Sequence, residues 1–433
     1  MNPTNEQALR REAQQSAAPH QGGHHDGYLD AAATAPMRPE ARAAMIAALD
    51  GGAANASSVH QAGHRARALI DGARTEIAAA FDALPAEVVF TAGGTEANNL
   101  AIIGLAVANP RGRHLVTTPI EHPSVLESCR YLERVFGFTI EFAEVDATGR
   151  VEPRSIAALV RSDTALVSVG LANAEVGTVQ DLPGIAEIAR TRGALMHTDA
   201  VQAAAALPVR FSTALRGDDP TRVWPGPGID AMTIAGHKFG GPQGTGALLL
   251  RPGIAVEPLI HGGGQERGRR AGTENVAGIA GFAAAVAAAR SDIGGRGVAL
   301  MHSRDALIDR VLAEVPGSLL TGHRTERLPG HASFAISGVS GESLLVALDA
   351  AGYAVSSGSA CAAGSSDPSP VLLALGLSAD LAQTGIRLTL ASPLADAAID
   401  RIIAVLRAET DAAALRRGAR RRQRGIGERA AET

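Results

Sequence analysis

The chain has 433 residues, 46% of them hydrophobic and 19% charged, with a formal net charge of −4. That length allows two or three domains with sizeable cores, and the weakly acidic balance excludes a broad nucleic-acid-binding face on the body of the protein. No run of about 18 or more apolar residues is present, the segment 1–27 lacks the apolar stretch of a secretory signal, and two cysteines, Cys129 and Cys361, are too few for a disulfide framework. A reducing cytoplasm is the expected location.

Residues 1–27 read as a disordered N-terminal extension. An entry segment over 28–36 precedes a helix over 39–49, a polar loop over 55–64 and a second helix over 65–81. From residue 87 strands and helices alternate. Strands are expected over 87–91, 114–118, 139–145, 165–169, 194–198, 231–234 and 247–250, and helices from 95 to about 107, over 123–136 and over 182–192. Short apolar strands separated by helices argue for an α/β architecture, a mainly parallel sheet covered by helices on both faces. The segment 211–228 reads as a surface insertion. Helical patterns over 274–290 and 301–315, then 332–337, 341–350 and 386–390, suggest a smaller α+β domain. The expected division is a large domain over 28–285, with 28–50 joining the small domain, a small domain over 286–415, and a disordered basic tail over 416–433. Six arginines, Arg416, Arg417, Arg420, Arg421, Arg422 and Arg424, cluster in that tail. A solvated end is the expectation, and an RNA or acidic-protein contact the alternative.

Lys238 is the only lysine in the sequence; every other fixed cation is arginine. Lysine can lose its proton and present a neutral amine, whereas guanidinium cannot. Capture of a carbonyl as a Schiff base requires such an amine. Gly93-Gly94-Thr95 sits where a strand passes into a helix and reads either as a phosphate cradle at the helix N-terminus or as an ordinary capped turn. Asp199 ends a strand and reads either as a buried partner for a protonated ring nitrogen or as a helix N-cap. His122 also follows a strand and opens a helix; an imidazole there stacks on a ring, relays protons, or is structural. Cys361 lies in a loop of small residues, 356–366, with an accessible thiol, whereas Cys129 reads as an inert core residue. A unique lysine, a strand-end carboxylate, a phosphate-type turn and a loop thiol together suit a pyridoxal-phosphate site.

Seven stretches carry a resemblance: YLDAAATAPM, VVFTAGGTEANNLAI, IEHPSVL, HTDAVQA, AGHKFGGPQGTGAL, HGGGQERGRRAGTENV and SSGSACAAGSSDPSPVL. In this order, from about 28 to 390, they resemble the NifS/IscS-type cysteine desulfurases of the class V aminotransferases, PLP fold type I. The resemblance implies that Lys238 holds pyridoxal 5′-phosphate and moves the substrate α-proton, and that Asp199 partners the pyridine nitrogen. Gln202 is similar to the residue that bonds the phenolic oxygen, and His122 to the histidine stacked on the ring. Gly94, Thr95 and His237 match phosphate contacts. Thr273 matches a threonine reaching the phosphate of a neighbouring subunit, which implies a homodimer. Arg387 resembles the clamp for the substrate carboxylate, and Cys361 the nucleophile that takes sulfur from L-cysteine, releases L-alanine and passes a persulfide to an acceptor protein for iron–sulfur assembly or tRNA thiolation. Two positions depart from the family pattern: Ala174 stands where an asparagine is usual and Ala235 where a phosphate-binding serine is usual. A selenocysteine lyase or another C–S lyase of the same group is the alternative, and a non-catalytic sulfur-relay or RNA-associated protein a remote one.

Overall fold

The computed structural model describes residues 27–52, 54–211, 228–357 and 367–431, with side chains to 417. Cys361, the insertion 212–227 and the extension 1–26 lie outside the described residues.

The large sheet contains β1 (Val88–Thr91), β2 (His114–Thr117), β3 (Thr139–Phe142), β4 (Thr164–Ser168), β5 (Leu195–Asp199), β6 (Ala231–Ala235) and β7 (Gly246–Leu250). Their order is β1-β7-β6-β5-β4-β2-β3. The pairs from β6 through β3 are parallel, and β7 runs antiparallel to both β1 and β6. β1, β2, β4, β6 and β7 are buried along their whole length, as strands covered on both faces must be, and their sequences are accordingly near-continuous apolar runs. Helices α1 (Pro39–Asp50), α2 (Gln61–Ala80), α4 (Pro123–Phe136), α5 (Pro153–Leu159), α6 (Leu182–Arg192) and α7 (Val276–Ser291) surround the sheet. Between α2 and α4, α3 begins as Gly94–Asn99, widens to π geometry over Leu100–Gly104 and closes as Leu105–Ala108. The chain then passes through α8 (Ile293–Glu314) to an antiparallel sheet ordered β10-β11-β9-β8. Its strands are β8 (Ser318–Leu320), β9 (His331–Ile336), β10 (Ser356–Ser357) and β11 (Gly385–Thr389), and α9 (Gly341–Ala350), α10 (Pro370–Ala374) and α11 (Ala379–Ala382) connect them. No single helix among the described residues is long and apolar enough to cross a membrane.

The entry segment belongs to both sheets' surroundings. Tyr28 bridges Ala354 and Asp30 bridges Thr389, and Leu29 packs in the core of the small sheet, whereas Ala41 of α1 packs in the core of the large one. The final helix, α12, runs Asp396–Ala431 and so continues through 416–431, where the sequence reading expected disorder. Its interior is rich in Ala, Arg, Glu and Gln, and adding residues to an existing helix avoids the cost of a new nucleus. The expected strand over 139–145 ends at Phe142, and α5, β8, β10, α10 and α11 go beyond the expected elements. Each is too short to display a period.

A buried ion pair fastens the stretch after β7 to the sheet. Arg74 Nη1 and Nη2 donate to Glu266 Oε2 and Oε1 at 2.8 and 2.7 Å, and Phe90 N donates to Glu266 Oε2 at 2.9 Å. Glu266 and Arg267 adopt left-handed φ of 48° and 59°, conformations that persist only when the surroundings impose them. Glu266→Gln leaves a buried guanidinium without its counter-charge and is expected to lower unfolding stability by about 3–5 kcal/mol, read by denaturant titration. A loss within the ~1 kcal/mol of an exposed pair would show that the pair does not hold this stretch.

Candidate active site

The carboxyl ends of β1, β4, β5 and β6 open onto one cavity of about 980 Å³. Ligands of open α/β sheets bind at such edges, and the small domain contributes Ser356, Ser357, Val371 and Arg387 to the opposite wall. Lys238, His122, Asp199, Gln202, His237, Gly94, Thr95 and Arg387, all singled out from sequence, line it together, as do Ala174 and Ala235. Thr273 does not line this cavity and is exposed.

Lys238 stands on a single 3₁₀ turn, Gly236–Phe239, directly after β6. The neighbouring Phe239 is locked in the core, with ring centroids 6.1 Å from Phe81 and 6.2 Å from Phe282, so the turn cannot roll. Gly240 follows in a left-handed conformation, φ 76°, where a Cβ would lie 2.6 Å from the Pro36 carbonyl. Lys238 Nζ donates to the Ala32 carbonyl and, at 2.8 Å, to the Ala33 carbonyl. Gln202 Nε2 donates to the same Ala32 oxygen at 3.0 Å. The entry segment thus supplies oxygen partners for both side chains.

Asp199 ends β5. Its Oδ2 accepts from Asn98 Nδ2 at 2.6 Å and its Oδ1 from Val201 N at 2.9 Å. The second bond is the local turn expected of a strand-end aspartate, and the first comes from α3. Below it, His197 is wholly buried between Ser168 Oγ, 2.9 Å from Nδ1, and Thr233 Oγ1, 3.1 Å from Nε2, and burial pushes its pKa down to about 3. A neutral imidazole therefore ties β4, β5 and β6 together under the carboxylate.

Gly93, with φ 154°, turns β1 into α3, and a Cβ on Gly94 would sit 2.9 Å from Val201 Cγ2. Glycine is required there, and it leaves the first N–H groups of α3 facing the cavity. His237 Nδ1 lies 3.0 Å from Thr34 Oγ1, and burial, followed by the charge of Lys238, lowers its pKa to about 4. It is neutral at pH 7. His122 caps α4: its Nδ1 accepts from Ser124 N at 3.1 Å and lies 2.7 Å from Ser124 Oγ. Burial lowers its pKa, Asp199 opposes that shift and Lys238 adds to it, so this imidazole is also neutral, and with Nδ1 accepting from the backbone its proton rests on Nε2. Structural cap and chemical group coincide here.

Arg387 lies on β11. Nη2 donates to Asp30 Oδ1 at 2.7 Å and Nη1 to the Ala174 carbonyl at 3.0 Å. Ser356 Oγ donates to the same Asp30 oxygen at 2.9 Å. Sequence reasoning missed four residues in and around the site: Asn98, Asp30, Glu121 and Glu175. Asn98 lies one turn beyond Gly94 and Asp30 lies within the YLDAAATAPM stretch, so their placement was signalled, but their partners were not. Glu121 accepts from Thr118 Oγ1 at 2.7 Å and from Gly170 N at 2.9 Å, and burial raises its carboxyl to about 7. Cys129 is buried on α4 with its thiol pushed up to about 12 by burial, an inert core residue as expected.

The geometry defines an α/β enzyme whose chemistry centres on one amine, with neutral imidazoles and a half-buried carboxylate around it and an arginine facing it from a second domain. Comparison with known proteins narrows this class. The class-V aminotransferase profile matches residues 27–401. The cysteine desulfurase IscS of Dictyoglomus turgidum is 42% identical over 364 residues, covering 84% of this chain and 89% of that protein. The IscS-like cysteine desulfurase of Mycobacterium tuberculosis is 42% identical over 386 residues, covering 88% and 95%. Among solved structures, SspA in complex with cysteine superposes with a TM-score of 0.72 at 31% identity, covering 85% of this chain and 99% of that one. The chain belongs to the class-V aminotransferase family, among its NifS/IscS-type cysteine desulfurases.

Proposed function

We propose that this protein is a pyridoxal 5′-phosphate-dependent cysteine desulfurase that converts L-cysteine to L-alanine and carries the sulfur as a persulfide on Cys361. The observation that carries the reading is the convergence of Lys238, Asp199, His122 and Arg387 on one cavity. The donor set suits the cofactor: an amine for an aldehyde, a carboxylate for a ring nitrogen, and helix N–H groups with the Thr95 hydroxyl and a neutral His237 for a phosphate. When bound, pyridoxal 5′-phosphate supplies the aldehyde and an electron-accepting ring. Lys238 takes the proton from the substrate α-carbon, its amine set free from the Ala32 and Ala33 carbonyls. Asp199, oriented by Asn98, would hold the ring nitrogen and favour its protonated form. Arg387 holds the substrate carboxylate and so fixes which bond at the α-carbon faces the amine. His122, its Nδ1 held by the Ser124 N–H, would stack on the cofactor ring. Ala174 and Ala235 each remove one expected cofactor hydrogen bond, which costs on the order of 1.5–3 kcal/mol where the partner is charged.

The reading extends to a homodimer in which Thr273 serves the partner's site, to an acceptor protein for the persulfide sulfur, and to a reducing cytoplasm as the setting. Exposure of Thr273 supports the first. The test is to incubate the purified holoenzyme with L-cysteine and measure alanine with a parallel mass spectrum. Alanine release together with a mass gain of one sulfur on the Cys361 peptide is expected. Alanine without that gain would overturn the persulfide step, and no alanine would overturn the reaction.

A further inference from the structure

Two polar atoms on the Arg387 wall of the cavity are buried without any hydrogen-bond partner, and their needs are complementary. Arg387 Nε is a donor with no acceptor. Its other nitrogens are committed to Asp30 and to the Ala174 carbonyl. Glu175 Oε1 is the second orphan, and Glu175 also lines the cavity. The carboxyl group of Glu175 accepts from the Ser369 hydroxyl, and Ser369 Oγ itself accepts from Leu372 N at 3.2 Å, so that hydroxyl's single proton is spent on Glu175. The main chain that carries it is fixed on both sides. Glu175 N donates to Asn173 Oδ1 at 2.8 Å, and its carbonyl oxygen lies 2.9 Å from His331 Nε2. A buried donor and a buried carboxyl oxygen left open on one wall are costly unless a ligand satisfies both.

We propose that Glu175 is a substrate-selecting residue: in its neutral form it donates its Oε1 proton to one oxygen of an amino-acid carboxylate whose other oxygen accepts from Arg387 Nε. The proposal rests on the desulfurase reading for the substrate's class and adds to it a second contact and a proton requirement. An ionised Glu175 would instead place a third anion, beside Asp30 and the substrate, around one guanidinium.

The surrounding charges set the direction. Arg387 on β11 and Asp30 on the entry segment face this wall. His331 on β9 contacts the Glu175 carbonyl, and burial holds it neutral, its pKa well below the usual value. Arg327 donates to the Val176 carbonyl at 3.3 Å behind the loop. Burial raises the Glu175 carboxyl to about 7, with Ser369 and then Arg387 opposing the rise. A substrate carboxylate raises it further, so binding takes up a proton. Affinity is therefore full below pH 7 and falls as pH rises above it, approaching tenfold per unit.

The test is calorimetric titration of holoenzyme with L-alanine, a carboxylate-bearing amino acid, from pH 6 to 8.5. Wild-type affinity is expected to fall about thirty-fold across that range beyond whatever Glu175→Gln shows, because glutamine keeps a donor but cannot titrate. Glu121 titrates in the same window and is common to both proteins, so their difference isolates Glu175. Glu175→Ala is expected to bind weakly at every pH, and ethylamine, which lacks the carboxylate, to show no difference between the wild type and Glu175→Gln. An equal pH dependence in wild type and Glu175→Gln, or wild-type affinity in Glu175→Ala, overturns the proposal. Failure of alanine release from L-cysteine would overturn the desulfurase reading and leave this titration to be judged by itself.

Discussion

Lys238→Arg is expected to lower alanine release from L-cysteine by at least about 10⁴-fold while leaving the protein folded. Arginine preserves the charge and can still donate to the Ala32 and Ala33 carbonyls that receive Nζ, so the thermal midpoint should move little. It cannot present a neutral amine, because guanidinium keeps its proton at any working pH. The loss combines covalent capture of the aldehyde with movement of the α-proton; proton transfer alone contributes about 10²–10⁴-fold. The absence of any other lysine makes the check unusually clean. Borohydride reduction of the holoenzyme should fix a pyridoxyl group on the peptide containing Lys238, and in Lys238→Arg no side chain remains that could take its place. A variant that kept its turnover would remove Lys238 from the chemistry and with it the case for the cofactor.

The second large effect concerns Cys361. Cys361→Ser should reduce cysteine turnover to below about one-thousandth, because a serine hydroxyl is a far poorer nucleophile toward sulfur than even a small thiolate fraction. Binding of L-cysteine should survive, since Arg387, Asp199 and Lys238 are untouched. That split between binding and turnover separates a desulfurase from a C–S lyase, which would continue to eliminate sulfide with serine in place, leaving pyruvate and ammonia rather than alanine. Adding selenocysteine to the same assay asks about the remaining alternative: turnover of selenocysteine by Cys361→Ser at the wild-type rate, with cysteine inert, would indicate a selenocysteine lyase.

Much of the site was legible in the sequence because its residues sit at strand ends and turns, where chain order and backbone geometry leave few choices. Asp199 closes β5, Lys238 follows β6 and Gly94 opens α3, so a strand–helix reading already gathered them on one sheet edge. What escaped were contacts made between distant segments. Nothing local to Asp30 announces that its carboxylate meets Arg387, 357 positions away, and nothing local to Glu175 shows that its Oε1 is buried and unpaired. The π-helical stretch in α3 escaped for another reason. Leu100–Gly104 is uniformly apolar and buried, and no proline or charged residue marks the insertion of an extra residue into the turn. The helical course of 416–431 was missed because a run of arginines suggested solvation, while the backbone preference of Ala and Arg favours continuing α12.

The segment from Tyr28 to Thr34 carries a consequence for how the protein is put together. Its few residues bridge β11 and the turn before β10, bond the Lys238 amine and the Gln202 amide through Ala32, and bond Arg387 through Asp30. Ala32 N reaches Thr389 across 357 positions. Contacts of such sequence separation are made only after the intervening chain has been ordered, since loop closure must be met before they contribute. The amine and the substrate arginine are therefore expected to gain their partners together and late, when this segment is laid between the two domains. Catalytic competence should then appear as the last phase of refolding, after the bulk of the helical signal has returned.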